Sequence, residues 1–141
     1  MNIEIINLTK SPIERDFLQK ISKNILKILG QNQKTEISLA IVGQNRMRSL
    51  NKKYREENQV TDVLVFANFV QEPLQNFLGE IIICYPQAKK QAKRFGHSLR
   101  KELTILLIHA ILHLVGYDDK TEDNRKKMEA KQEEILNSLD I

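Results

Sequence analysis

Isoleucine occupies positions 3 and 5 with Glu4 between them and Ile6 after. That period-two spacing suits a strand covered on one face, so Asn2 to Asn7 is read as the first strand. Ser11-Pro12-Ile13-Glu14 then supplies a capping serine, a proline at the first helical position and a glutamate three residues after the cap, which together predict a helix start at Ser11. Ile13, Phe17, Leu18, Ile21, Ile25, Leu26 and Ile28 continue at roughly helical spacing, and Gly30 is placed to end the helix. Thr35 to Val42 is read as a second strand, and a basic helix follows Gly43 from about Asn45 to Tyr54. The β-branched run Val60 to Phe66 predicts a third strand and Gly79 to Tyr85 a fourth. Pro86 to Phe95 reads as helical until Gly96 breaks it; Ser98 caps a longer helix to about Val115, and an amphipathic helix runs from Thr121 to Leu139.

The predicted order is β-α-β-α-β-β-α-α-α, with no repeat and no linker long enough to divide domains. It implies a single α+β domain over residues 1–141, a four-stranded mixed sheet with about five helices. The helix from Ser98 to Val115 is apolar nearly all round, which places it at the centre of the fold. Any polar side chain on it needs a partner.

Composition adds exclusions. The hydrophobic share of 41% and charged share of 28% rule out a disordered or fibrous chain. The start Met1-Asn2-Ile3-Glu4 has neither the basic opening nor the apolar core of a signal peptide, so a cytoplasmic location is expected. The apolar stretch Leu103 to Val115 falls short of the about 20 residues that span a bilayer and contains two histidines, so no membrane role is expected. Cys84, the one cysteine, follows three isoleucines and is read as a buried thiol in a reducing compartment. The net charge of +4 favours a polyanionic partner without requiring one. Lys89, Lys90, Lys93, Arg94, Arg100 and Lys101 form one basic stretch, and Arg46, Arg48, Lys52, Lys53 and Arg55 another. They suit a phosphate-binding groove, or simply solvated helix faces. No aromatic stripe accompanies them, which predicts weak sequence preference.

The candidate chemistry lies in the central helix. His109 and His113 project from one face, four residues apart, so both rings can meet one ion; hydrogen-bonded core histidines are the plainer alternative. Gly116 can take the left-handed conformation that ends a helix and turns the chain, bringing Asp119 back toward the rings. Two nitrogens and one oxygen leave a coordination position open, as in catalytic zinc sites. One divalent ion, zinc by expectation, would activate water for hydrolysis of an ester, amide or phosphodiester, with Asp119 making that water less acidic than an all-histidine site would. The pattern H-x-x-x-H-x-x-G-x-x-D also resembles the zinc signature of metzincin proteases. Ala110 stands where those enzymes carry their general-base glutamate, which argues against proteolysis. Two histidines and a carboxylate are also the ligand set of non-haem iron oxygenases, usually built on β-rich scaffolds.

The stretch His109-Ala110-Ile111-Leu112-His113-Leu114-Val115-Gly116-Tyr117-Asp118-Asp119 resembles the signature of the YbeY family of ribosomal RNA maturation endoribonucleases. Asn51 with Tyr54-Arg55, Thr61-Asp62-Val63-Leu64 with Phe66, Leu78-Gly79-Glu80-Ile81, Gly96-His97-Ser98 with Glu102, and Met128-Glu129 match further family segments in the same order. Three residues depart from the pattern: Asp119 replaces the usual third histidine, Ala110 a glycine and Val65 a serine. The resemblance implies a single-strand-specific, metal-dependent endoribonuclease that acts in ribosomal RNA processing, small-subunit RNA 3′ end maturation especially, and in ribosome quality control. Ribosomal RNA and ribosomal particles are the partners it implies. A metzincin-like protease and a non-catalytic ribosome-assembly factor are the alternatives.

The same resemblance makes Arg55 the functional arginine, able to hold a phosphate and steady developing charge; a surface cation is the plainer reading. Lys52, Lys93 and Arg94 are the accompanying substrate-binding candidates. Asp118 is a candidate for orienting a ligand histidine, or a turn aspartate. His97 approaches the cleft or merely precedes the Ser98 cap. Thr61 and Asp62 support the site or initiate the third strand.

Overall fold

The computed structural model describes residues 1–68 and 76–139. Its strands β1 (Asn2–Asn7), β2 (Glu36–Val42), β3 (Val63–Ala67) and β4 (Phe77–Cys84) form one sheet in the order β1-β2-β4-β3. β1, β2 and β4 run parallel, and β3 lies antiparallel to β4 at the edge. Between them come α1 (Arg15–Ile28) and α2 (Gln44–Arg55), and after β4 follow α3 (Tyr85–Phe95), α4 (Leu99–Leu114) and α5 (Glu122–Ser138). This is the α+β architecture expected, with four strands and five helices among the described residues.

Alternation along the strands divides the core in two. Ile37, Leu39, Ile41, Ile81 and Ile83 face α1 and α4 in the larger cluster, while Ala40, Val42, Leu64, Ile82 and Cys84 join Met47 of α2 in the smaller one. Cys84 is fully buried, and burial pushes its thiol up from the ordinary cysteine range. Leu103, Leu106, Leu107, Ile108, Ala110, Ile111, Leu112 and Leu114 are all buried, so α4 is enclosed on nearly every side. α5 then covers it, with Met128 and Ile135 in the same core. Among the described residues no helix is long and apolar enough to cross a membrane.

Several boundaries differ from the sequence expectation, among them the start of β4 at Phe77 rather than Gly79. The first helix starts at Arg15, with Glu14 rather than Ser11 at its cap position. Asn7 explains the delay: its Oδ1 accepts from the Thr9 backbone N–H at 3.0 Å, and its Nδ2 donates to the Ser11 carbonyl at 2.9 Å. That side-chain-stabilised turn takes the carbonyl that a Ser11 cap would have given to the helix. β3 begins at Val63 rather than Val60, because the Gln59 carbonyl accepts from Asn51 Nδ2 at 2.9 Å and holds that segment against α2. β4 ends at Cys84, and Tyr85 opens α3 ahead of Pro86, the proline falling in the first turn, where its missing N–H costs nothing.

The end of α4 is seated by Gly79. Its φ is +145°, and a Cβ there would stand 2.3 Å from the Phe66 carbonyl oxygen and 2.7 Å from Leu114 Cδ2. Only glycine lets the last turn of α4 lie this close to β3 and β4. Replacing it adds overpacking to backbone strain, so Gly79→Ala is expected to destabilise the fold by about 2–4 kcal/mol, measured as a lowered urea midpoint with unchanged m.

Candidate active site

Glu102, Leu106, His109 and His113 are spaced four, three and four residues apart and therefore line one side of α4. Each polar member has a partner. His109 Nδ1 meets Gln132 Oε1 of α5 at 3.1 Å; because an amide oxygen only accepts, this nitrogen carries the proton and Nε2 keeps its lone pair. The His113 ring is hydrogen-bonded to the Tyr117 backbone. The two Nε2 atoms then face each other at 3.2 Å, the rings edge to face with centroids 4.7 Å apart. At that separation the two nitrogens either share a proton in a hydrogen bond or share a cation. Nitrogens bound to one tetrahedral zinc at about 2.0–2.1 Å would stand about 3.3 Å apart, so the spacing fits a shared ion.

Gly116 turns the chain as expected. Its φ is +107°, its N–H donates to the His113 carbonyl at 3.1 Å, and the Tyr117 N–H donates to Leu112 at 3.0 Å. Asp119 then lines the same cavity as the rings, a space of about 200 Å³ shared with Arg55, Thr61, Asp62, Val63 and Val65. It does not close on them: among the described residues no three His, Cys, Asp or Glu side chains stand close enough to hold a metal ion. Burial first, and His109 second, hold the His113 imidazole below the ordinary histidine range; Asp119 pulls the other way and Arg55 adds to the lowering. A neutral His113 keeps a free nitrogen available.

Arg55 is the last residue of α2, where Glu56 takes a left-handed φ of 58° and ends the helix. Asn51, fully buried one turn earlier, fixes that end through the Gln59 carbonyl. Arg55 thus faces the cavity from across α4. It also lines a neighbouring space of about 510 Å³ with Phe66, Ala67, His113, Tyr117, Asp118 and Lys120. Lys52, Lys93 and Arg94 are exposed, and none of them lines these spaces. Lys93 and Arg94 sit in the last turn of α3, where positive charge complements the helix dipole.

Asp118 serves the turn: its Oδ1 accepts from the Lys120 N–H and Asn124 Nδ2, both at 3.0 Å. Those bonds hold its carboxyl below the usual carboxylate range. Asp62 starts β3, Oδ1 accepting from the Val63 N–H at 2.8 Å. Its Oδ2 lies 3.2 Å from Gln91 Nε2, which also donates to buried Glu102 Oε2 at 2.8 Å, and Glu102 Oε1 lies 2.6 Å from His97 Nε2. His97 is therefore tied into the site wall at one remove. Gln91 and Gln132 escaped sequence reasoning. The available signal was their place in buried stripes, Gln91 three residues after Ala88, and Gln132 four after Met128 and three before Ile135.

An enclosed pair of imidazoles opposite a guanidinium is the equipment of a hydrolase working on an anionic ester. Comparison with known proteins narrows that class. The family model of endoribonuclease YbeY matches residues 4–140. Endoribonuclease YbeY of Pelotomaculum thermopropionicum is 38% identical over 129 residues, 88% of this chain and 85% of that protein. The protein of the same name from Geobacillus sp. (strain WCH70) is 35% identical over 147 residues, 96% of this chain and 94% of its own. The solution structure of TM1509 from Thermotoga maritima superposes with a TM-score of 0.67 at 28% identity, covering 96% of this chain and 87% of that one. The chain belongs to the endoribonuclease YbeY family and is an enzyme of the hydrolase class.

Gln132 dictates the His109 tautomer. In Gln132→Leu, long-range proton–nitrogen NMR correlations are expected to show His109 losing its uniform Nδ1–H form while the fold, read by circular dichroism, is retained.

Proposed function

We propose that this protein is a single-strand-specific endoribonuclease that uses one divalent metal ion, zinc by preference, to cut ribosomal RNA. Its work would lie in maturation of the small-subunit RNA 3′ end and in ribosome quality control, in the cytoplasm and on ribosomal particles. Family membership supports RNA cleavage. The observation that carries the chemistry is the convergence of the His109 and His113 Nε2 atoms at 3.2 Å in a cavity faced by Arg55.

His109 and His113 would hold the ion, and Asp119, from the turn at Gly116, would be the third ligand. The ion supplies a Lewis acid that makes an oxygen nucleophile available near neutral pH. The protein does the rest. Gln132 and the Tyr117 backbone fix the two rings, and orienting partners of this kind typically tune metal affinity by about 10–100-fold. Arg55 presents a fork of N–H donors that matches a phosphate and steadies the extra negative charge of its transition state. Lys120, on the same side, adds positive charge along the strand's backbone. Ala110 is fully buried and offers no carboxylate beside the first histidine, which disfavours peptide hydrolysis.

Cleavage of ribosomal RNA by purified protein tests this reading. Arg55→Ala is expected to slow cleavage by about 10²–10³-fold, and His113→Ala to abolish it together with the zinc found by elemental analysis. Equal activity in wild type and both variants would mean that the cavity is not the site. Ribosome association that persists without cleavage would instead mark an assembly factor.

A further inference from the structure

A second space of about 310 Å³ opens on the His109 side of the site, lined by Asp62, Val63, Gln91, Phe95, Glu102, Ile105, Leu106, His109 and Gln132. It shares Asp62, Val63 and His109 with the cavity that holds the imidazoles, so the two spaces adjoin along those residues. Its walls are of a different kind. The space beyond His113 carries two cations, Arg55 and Lys120, against one carboxylate, Asp118; this one carries two carboxylates and, among the described residues that line it, neither lysine nor arginine. A phosphate would be repelled here. An uncharged, flat, partly apolar group would not.

Phe95 stands at the rim with 61% of its surface exposed, more than any other large hydrophobic side chain among the described residues. It is not loose. Its ring rests on His97, centroids 5.9 Å apart, and His97 is pinned by buried Glu102, itself bonded to Gln91. Gln132 gives its oxygen to His109, and its NH₂ group remains to donate to a carbonyl or ring nitrogen. A braced aromatic face, apolar walls and polar groups at the edge are what a nucleobase requires.

We propose that this space is the base subsite of the enzyme, where one unpaired nucleobase next to the scissile phosphate stacks on Phe95. The assignment rests on the endoribonuclease reading and gives it a physical ground for single-strand preference, since a paired base is held inside its own helix and cannot reach the ring. His97, Glu102 and Gln91 act as positioning residues that brace the platform. One stacked base tolerates any sequence, in line with the missing aromatic stripe.

The chain contains no tryptophan, so Phe95→Trp places a single tryptophan at the rim, excited selectively over the three tyrosines at long wavelength. A short single-stranded RNA is expected to quench its emission, whereas the same strand in a duplex, or inorganic phosphate, is not. By fluorescence anisotropy of a labelled single strand, Phe95→Ala should weaken binding by roughly 5–150-fold, with the slope of log affinity against log salt unchanged because no phosphate contact is lost. Phe95→Trp should bind as wild type does. Lys120→Ala is the contrasting arm, expected to reduce that slope by about one. Wild-type binding with Phe95→Ala unchanged and no quenching, or a Phe95→Ala loss with a reduced salt slope, overturns the base subsite alone. A wild type that neither binds nor cuts RNA overturns the endoribonuclease reading and the subsite with it.

Discussion

Enclosing α4 is the condition on which the remaining structure depends. A helix buried on nearly every side gains stability from its leucines and isoleucines, but each polar atom it carries must be matched or costs about 1–3 kcal/mol. Glu102 is matched by His97 and Gln91, His109 by Gln132, and His113 by the Tyr117 backbone. Once those bonds are made, the two Nε2 atoms are left pointing at one another. The pairing of the imidazoles is therefore what remains after the core has satisfied its own polar groups, and the segments that supply the partners are also those that wall the cavity.

Much of this was legible because it is local. The four-residue spacing of the histidines, the Gly116 turn, the Ser98 cap and the apolar girth of α4 all depend on neighbours along the chain. The Ser98 cap formed, accepting from the Lys101 N–H, and Thr121, expected to open the last helix, caps it instead by accepting from the Asn124 N–H. Ser11 misled for the same reason: a good cap signal lost to an equally local turn built by Asn7. Val60 misled because its β-branched neighbours could not reveal the Asn51 bond that holds the preceding residue. Arg55 was recognised only through family resemblance, since charge alone does not say which way a guanidinium faces. Lys93 and Arg94 show the other side of that ambiguity. Gln132 and Gln91 were hidden because their partners lie 23 and 11 residues away, though a glutamine inside a buried stripe is itself a sign of a distant bond.

The site is also asymmetric. Arg55 and Lys120 outweigh Asp118 on one flank, while Asp62 and Glu102 make the other negative. β3 runs between them as the edge strand, contributing Val63 to one side, Ala67 to the other and Val65 in between. Opposed flanks of this sort orient a polyanion more strictly than a uniform basic groove of equal total charge would, because a strand shifted along the groove places phosphates against carboxylates.

Gln132 lies on α5 and His109 on α4, 23 residues apart along the chain, and that separation has a consequence for local stability. The orientation of the first imidazole is held by a helix other than its own. An opening of α5 that leaves the core of α4 packed therefore releases the His109 ring, at a free energy below that of unfolding the whole domain.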